Sequence, residues 1–320
     1  MNKDRLIKAV NEFKNRKIIV IGDIILDKYT FGKVERINPE RKSAPLIKVE
    51  REEYRLGGAG NVAANLASLE VNVSLYCLFG DDYHGKIIEE LCEKNKINLT
   101  HFYHRESIVK ERFIEAEFGD YLLRSDSGES NLEMISQDGL NYLSSRLQNE
   151  KNVEAIILSD YNKKMFRNGA GKLLIENRNI PCIVDPKPEN IGCFKDVDLI
   201  KTNIKEAREI TGMKEADEMA VFRDLCNKTR IKNTVVTCGK NGMICYDGKE
   251  INEIPTKTRE VIDVCGAGDT CIAVIGLGFI NKLKLVESAQ LANYAAGIVV
   301  QKQGTATLTR HELIARIMEN

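Results

Sequence analysis

The stretch DVCGAGDT, Asp263 to Thr270, sets two glycines around one alanine and follows them at once with a carboxylate, Asp269. The apolar run after it, CIAVIGLGFI, reads as a buried helix. A glycine-rich turn that opens a helix presents backbone N–H groups to an anion, and the helix dipole favours negative charge there. A carboxylate in that place repels the anion unless it has its own task. If the amides of Gly266, Ala267 and Gly268 take the developing charge of a phosphoryl group, Asp269 becomes the general base that orients an incoming hydroxyl. The bland alternative is a glycine-bent helix start with Asp269 as its cap.

Other stretches carry chemistry of the same kind. GGAGN, Gly57 to Asn61, opens the helix NVAANLASL. As Gly58-x-Gly60-x-x-Ala63 it fits a dinucleotide fingerprint, with Asp81 or Asp82 about twenty residues on. The segment before it, KVEREEYRL, is charged and alternating, whereas that fingerprint follows a core strand. It reads better as a turn whose backbone approaches a polar ligand, with the Asn61 amide offering donor and acceptor to a sugar hydroxyl. A plain helix-opening turn is the remaining alternative. GDIILD places Asp23 and Asp27 just past a strand, where carboxylates accept from sugar hydroxyls or cap a helix. NIKE, Asn203 to Glu206, is an ordinary capping box, or a site where Glu206 holds a hydrated Mg²⁺ beside phosphate oxygens. VVTCGKNGM, 235–243, is a hairpin turn or a nucleotide-contacting loop. GxxxxGK[ST], GxSxG and HExxH do not occur, so P-loop, serine hydrolase and zincin chemistry have no support.

The elements that must position these residues are legible as periodicity. KIIVIGD, VSLYCLFG (73–80), AIILSD (155–160), CIVDP (182–186), DLIKTN (198–203) and NTVVTCG (233–239) are apolar runs of the kind found in parallel sheets covered on both faces. Helical patterns fall at 4–15, 61–69, 84–95, 131–149 and 204–211. The alternation predicts an α/β layered fold, with ligands beyond the carboxyl ends of the strands, where Asp23, Asp160, Asp185, Asn203 and Thr237 cluster. Residues 31–56 and 107–126 alternate instead. They read as exposed antiparallel strands forming a small β-sheet lid. No linker or repeat divides the chain, so 1–320 reads as one domain.

Composition narrows the partners. Lys plus Arg equals Asp plus Glu at 47 each, so no global field points to nucleic acid or an anionic membrane. The 9 Cys have no paired spacing and read as thiols of a reducing cytosol. His101 and His104 are too isolated to form a metal site. The charged N-terminus lacks the apolar stretch of a signal peptide, and the apolar runs are too short for a bilayer. These features predict a cytoplasmic protein.

Taken together, GGAGN, NIKE and DVCGAGDT resemble, in order and spacing, the three signatures of the PfkB/ribokinase-type sugar kinases. The resemblance covers nearly the whole chain. It implies a ribokinase-like three-layer α/β fold with a β lid, ATP and Mg²⁺, Asp269 as base, and Gly266 to Gly268 as anion hole. Asn203 and Glu206 then stand at the Mg-phosphate site. Within the family, IGDIILDKYTFGKVERINPE, LSDYNKK, VDPK and LANYAAGIVVQKQGTATLTRHEL are similar to the D-glycero-β-D-manno-heptose 7-phosphate kinases of ADP-heptose synthesis. These phosphorylate the anomeric hydroxyl; a kinase for another sugar or sugar phosphate is the alternative. The sugar side then takes Asp23, Asp27, Gly57, Gly58 and Asn61, with Lys110, Arg112, Lys163 and Lys187 for the distal phosphate. The nucleotide side takes Asn203, Lys205, Glu206, Thr237, Gly239, Gly242 and Asn293. The resemblance also implies a monovalent cation near Asp263 and the 299–304 loop and a separate nucleotidyltransferase acting downstream, while the exposed lid strands read as able to pair two copies into a homodimer. This chain departs from the pattern at Cys265, at Lys164, and at INPERKSAPL, where Arg41 and Lys42 look inserted.

Overall fold

A computed structural model describes residues 2–37, 45–104, 106–130, 132, 134–167, 170–171, 180–256 and 260–319. Helix α1 (Lys3–Asn11) leads into β1 (Lys17–Gly22), and two long strands follow, β2 (Ile24–Ile37) and β3 (Pro45–Gly58). Then come α2 (Ala59–Ser68), β4 (Asn72–Gly80), α3 (Tyr83–Lys94), β5 (Asn98–His104), β6 (Val109–Glu115), β7 (Tyr121–Ser127) and α4 (Gln137–Asn149). The second half contributes β8 (Ala155–Ser159), β9 (Cys182–Asp185), β10 (Leu199–Asn203), α5 (Ile204–Thr211), α6 (Glu218–Thr229) and β11 (Asn233–Thr237). It closes with β12 (Met243–Tyr246), β13 (Ile251–Ile254), α7 (Ala267–Ile280), α8 (Leu285–Val299) and α9 (Arg310–Glu319).

The apolar runs all become strands of one sheet, ordered β13-β12-β11-β10-β9-β8-β1-β4-β5 among the described residues. From β11 to β5 every pairing is parallel; β12 and β13 add on antiparallel. The runs are unbroken because both faces are covered. Along β1, Ile18 and Val20 join the cluster that holds residues of α1, α2, α7 and α8, while Ile19 and Ile21 join the one that holds α4. Period-two side-chain alternation therefore feeds two cores, giving the three-layer fold.

The second sheet among the described residues, β3-β2-β6-β7, falls on the segments expected to form a small sheet, with wider bounds. Its first strand starts at Ile24, directly after the core strand, and β3 runs to Gly58. The β2–β3 and β6–β7 pairs are antiparallel, but β2 and β6 pair in parallel, which corrects the wholly antiparallel expectation. This sheet is not exposed throughout either: Tyr29, Phe31 and Ile114 form a small core of its own. The helix expected over 131–149 begins at Gln137, because Ser136 caps it by accepting from Gly139 N at 3.1 Å. The helix expected over 4–15 ends at Asn11. The Arg41–Lys42 insertion lies outside the described residues.

Candidate active site

The strand ends converge where the sequence puts its carboxylates. Asp269 sits in the first turn of α7 and is 2% exposed. Its Oδ2 accepts from Asn61 Nδ2 at 2.8 Å and its Oδ1 from the Tyr161 hydroxyl at 2.6 Å. The Asn61 amide is itself fixed: Asn65, one turn further along α2, donates to its Oδ1 at 3.1 Å. Thr270 Oγ1 donates to Asn65 Oδ1 at 3.1 Å, so a buried chain from α2 to α7 sets the angle of the carboxylate. Burial pushes the Asp269 carboxyl above the usual range; Tyr161, Asn61 and the charge of Lys201 oppose the rise.

Gly266 caps α7 in the left-handed region, at φ +75°, and a Cβ there would meet Asn61 Nδ2 at 2.4 Å. Only glycine suits that φ without strain and leaves Asn61 in place. Beneath the same loop lies Lys201, a lysine inside a buried strand. It is 3% exposed, and its Nζ would stand 3.1 Å from a Cβ on Gly268. It pairs with Asp185 at 2.6 Å. Burial lifts Asp185 to about 6 even against that lysine, and Lys201 itself is held charged by Asp185 and Glu206 against its own burial.

Glu206 and Asn203 form the capping box that the NIKE motif allows. Asn203 Oδ1 accepts from Glu206 N at 2.9 Å, and Glu206 Oε2 accepts from Asn203 N at 3.1 Å. The second Glu206 oxygen meets Lys187 Nζ at 2.5 Å. Burial raises the Glu206 carboxyl, but Lys187 and Lys201 outweigh it and hold the group below the usual range. Thr237 is in register with Asn203, which sets the Gly239–Gly242 turn beside this corner. Asn293 donates to Pro255 O at 2.9 Å, near the end of β13, and Lys205 is exposed on α5.

A divalent metal fits here in one way. Among the described residues no cluster of three or more His, Cys, Asp or Glu could hold a metal by itself. Glu206 is one carboxylate already paired with Lys187, so a divalent cation here would keep its waters and arrive on nucleotide phosphates rather than reside in a protein cage. Asn203 spends its side-chain oxygen on the helix cap.

Several sugar-side residues turn inward. Asp23 takes three backbone amides, from Tyr161 (2.8 Å), Lys163 (3.0 Å) and Met165 (3.3 Å), and so anchors the 161–165 loop. Burial, with Asp160 nearby, lifts it to about 6. Asp27 pairs with Arg112 at 2.5 Å, both buried, and Arg112 also donates to Cys265 Sγ at 3.3 Å. The close approach made by Gly57 and Gly58 is to the chain itself, to the Asp27 carboxylate and to Asp23 O. Lys110 lies over the Tyr161 ring at 5.9 Å, and burial with Lys163 and Arg124 nearby lowers its ammonium. Lys163 pairs with Glu129 at 2.6 Å. Asp263 accepts from Gly304 N at 2.8 Å, from Cys265 N at 2.9 Å and from the Tyr121 hydroxyl, joining it to the 299–304 loop.

Tyr161, Lys201, Asn65 and Thr270 were not among the expected site residues. Two had a signal: a lysine inside a buried strand needs a carboxylate partner, and Asn65 stands one helical turn from Asn61. Tyr161 lies within LSDYNKK, one of the stretches that carry the resemblance, but nothing in that stretch marked its hydroxyl as a partner of Asp269.

A parallel sheet with a small second β-sheet, a glycine turn at a helix start and a buried carboxylate beside it define a phosphoryl-transfer enzyme of ribokinase-like fold. The chain belongs to the pfkB family of carbohydrate kinases, whose model matches residues 15–312. It is 37% identical over 308 residues to the Bifunctional protein HldE of Haemophilus influenzae (strain PittEE), covering 94% of this chain and 63% of that protein. To HldE of Pasteurella multocida (strain Pm70) it is 35% identical over 309 residues, with the same coverage. The chain thus spans less than two thirds of the length of these relatives. Phosphofructokinase-2 from Escherichia coli in complex with potassium matches its fold with a TM-score of 0.79 at 17% identity, covering 95% of this chain and 99% of that one. Arabidopsis thaliana ribokinase, complexed with ribose and ATP, matches with a TM-score of 0.72 at 19% identity and the same coverage.

Proposed function

We propose that this sugar kinase transfers the γ-phosphoryl group of ATP to the anomeric hydroxyl of D-glycero-β-D-manno-heptose 7-phosphate. The anomeric oxygen bonds to the γ-phosphorus, the bond to the ADP oxygen breaks, and the hydroxyl proton passes to Asp269. The products are the 1,7-bisphosphate and ADP. The observation that carries this reading is the buried Asp269 carboxylate, aimed by Asn61 and Tyr161 at the start of α7. Likeness to HldE over nearly the whole chain supports the choice of sugar.

In this reading the Gly266, Ala267 and Gly268 amides and the Lys201 ammonium take the charge on the transferred group. Glu206 and Lys187 face the nucleotide phosphates, with Mg²⁺ supplying charge neutralisation when bound; Thr237, Gly239, Gly242 and Asn293 line the nucleotide side. Lys110 and Lys163, with Arg124, would take the 7-phosphate, Lys163 and Arg124 exchanging their carboxylate partners for it. Asp23, Asp27 and Arg112 act by holding the pocket walls. A monovalent cation would sit by Asp263 and Gly304. The exposed edge strand β7, carrying Leu122 and Leu123, suits pairing with a second copy, and a separate nucleotidyltransferase would take the product. Nine free thiols suit a reducing cytoplasm, and no helix among the described residues is long and apolar enough to cross a membrane.

The test is ³¹P NMR with MgATP and the heptose 7-phosphate, run beside fructose 6-phosphate and ribose. A new anomeric phosphate from the heptose alone, absent in Asp269→Asn, is the expected result. Turnover of another sugar instead discards the heptose, and full-rate turnover by Asp269→Asn discards the base.

A further inference from the structure

Tyr161 stands where three parts of the site meet. Its hydroxyl donates to Asp269 Oδ1 at 2.6 Å. Its ring lies under two ammonium groups, Lys187 at 5.2 Å and Lys110 at 5.9 Å from the centroid. Its backbone N–H donates to buried Asp23, so the loop that carries it is tied to the end of β1. A carboxylate has about four lone-pair positions, and Asn61 and Tyr161 use two of those on Asp269. An acceptor hydroxyl can therefore join as a third donor without displacing either.

We propose that Tyr161 is a positioning residue for the transfer: its phenol holds Asp269 toward the acceptor hydroxyl, and its ring face is the wall against which the sugar lies. The proposal rests on Asp269 being the base. It names a side chain for two requirements that the glycine loop cannot meet. Gly266 to Gly268 offer amides to the phosphoryl group but nothing apolar to the face of a sugar ring. Lys187 and Lys110 stand over the same ring, so a sugar lying against it also comes within reach of their charge.

Three charged or titratable groups on other elements face Asp269: Tyr161 from the loop after β8, Lys201 from β10 and Asp27 from β2. The thiols of Cys265 and Cys271 lie to either side in sequence. Of these, Tyr161 alone donates a hydrogen bond to Asp269 among the described residues. Removing its hydroxyl removes support for the ionised carboxylate while the other charges remain.

The experiment compares Tyr161→Phe and Tyr161→Ala with the unaltered protein, using MgATP and D-glycero-D-manno-heptose 7-phosphate across pH 5 to 9. Tyr161→Phe keeps the ring: kcat should fall roughly tenfold at neutral pH with the sugar KM within about twofold. The acid limb of kcat/KM should move to higher pH. Tyr161→Ala should in addition raise the sugar KM by roughly tenfold. A second readout needs no sugar: ¹³C NMR of protein labelled at the aspartate carboxyl carbon, with the Asp269 signal identified by its loss in Asp269→Asn. That signal should titrate at higher pH in Tyr161→Phe. If both variants lose activity alike while the acid limb and the Asp269 titration stay in place, Tyr161 is a packing group and the proposal is overturned. Full activity in Asp269→Asn would overturn the base instead, and the NMR titration would still report on the tyrosine.

Discussion

Gly266→Ala tests the claim that the turn at the start of α7 and the Asn61 amide are one device. Two costs can be read from the geometry. Alanine at φ +75° costs about 1–2 kcal/mol of strain. Its Cβ would also stand 2.4 Å from Asn61 Nδ2, so the amide must move and its 2.8 Å bond to Asp269 is lost. A hydrogen bond to a charged group is worth about 1.5–3 kcal/mol, which in the transition state is roughly a ten- to 150-fold fall in kcat. Urea unfolding reads the first cost and steady-state kinetics the second. A double-mutant cycle with Asn61→Ala separates them. In the Asn61→Ala background, Gly266→Ala should still destabilise by the strain term but should lower kcat little further. If the two kcat losses multiply in full, the substitution acts through the backbone amides of the turn, and the coupling through Asn61 argued here is wrong.

Lys201→Met removes the partner of a buried carboxylate and should destabilise the fold by about 3–5 kcal/mol by thermal or urea unfolding. Adding Asp185→Asn should restore much of that stability but none of the activity, because the charge beneath Gly268 stays absent; recovery of activity in the double variant would remove Lys201 from the anion site. The Asp185 carboxyl, lifted to about 6 when folded from an ordinary value near 3.8, binds its proton more tightly in the folded state. Its titration therefore lowers stability as pH rises from about 4 to about 6, by up to ~3 kcal/mol. In Asp185→Asn that slope should vanish, so the variant gains on the unaltered protein between pH 4 and 6.5; parallel urea curves at both pH values would refute it. Arg112→Met leaves Asp27 buried without its cation and should destabilise by about 3–5 kcal/mol, whereas Arg112→Met with Asp27→Leu should not, as differential scanning calorimetry would show.

The fold was legible because its signal is local. Val20 and Ile157 are apolar because they enter one core while their strand neighbours enter the other, and such runs need no partner to be recognised. The motifs were legible as spacing: Asp269 one residue past Gly268, Glu206 three past Asn203. The partners those residues take were not legible, because they come from elsewhere in the chain. Asp23 and Asp27 have the residue type of a sugar-binding carboxylate, yet one spends itself on the amides of residues 161–165 and the other on Arg112. Nothing in GDIILD distinguishes a carboxylate that faces a ligand from one that holds the wall behind it. The difference lies in which donors the fold brings within 3 Å. The same holds for Tyr161, whose hydroxyl reaches across 108 positions to Asp269. Burial raises the cost of leaving either group unpaired, so the sheet that gathers these strand ends also dictates that its carboxylates find donors. The proposed catalytic geometry at this site is thus the part of a general hydrogen-bond requirement that falls at the start of α7, where Asn61 and Tyr161 leave Asp269 with lone pairs to spare.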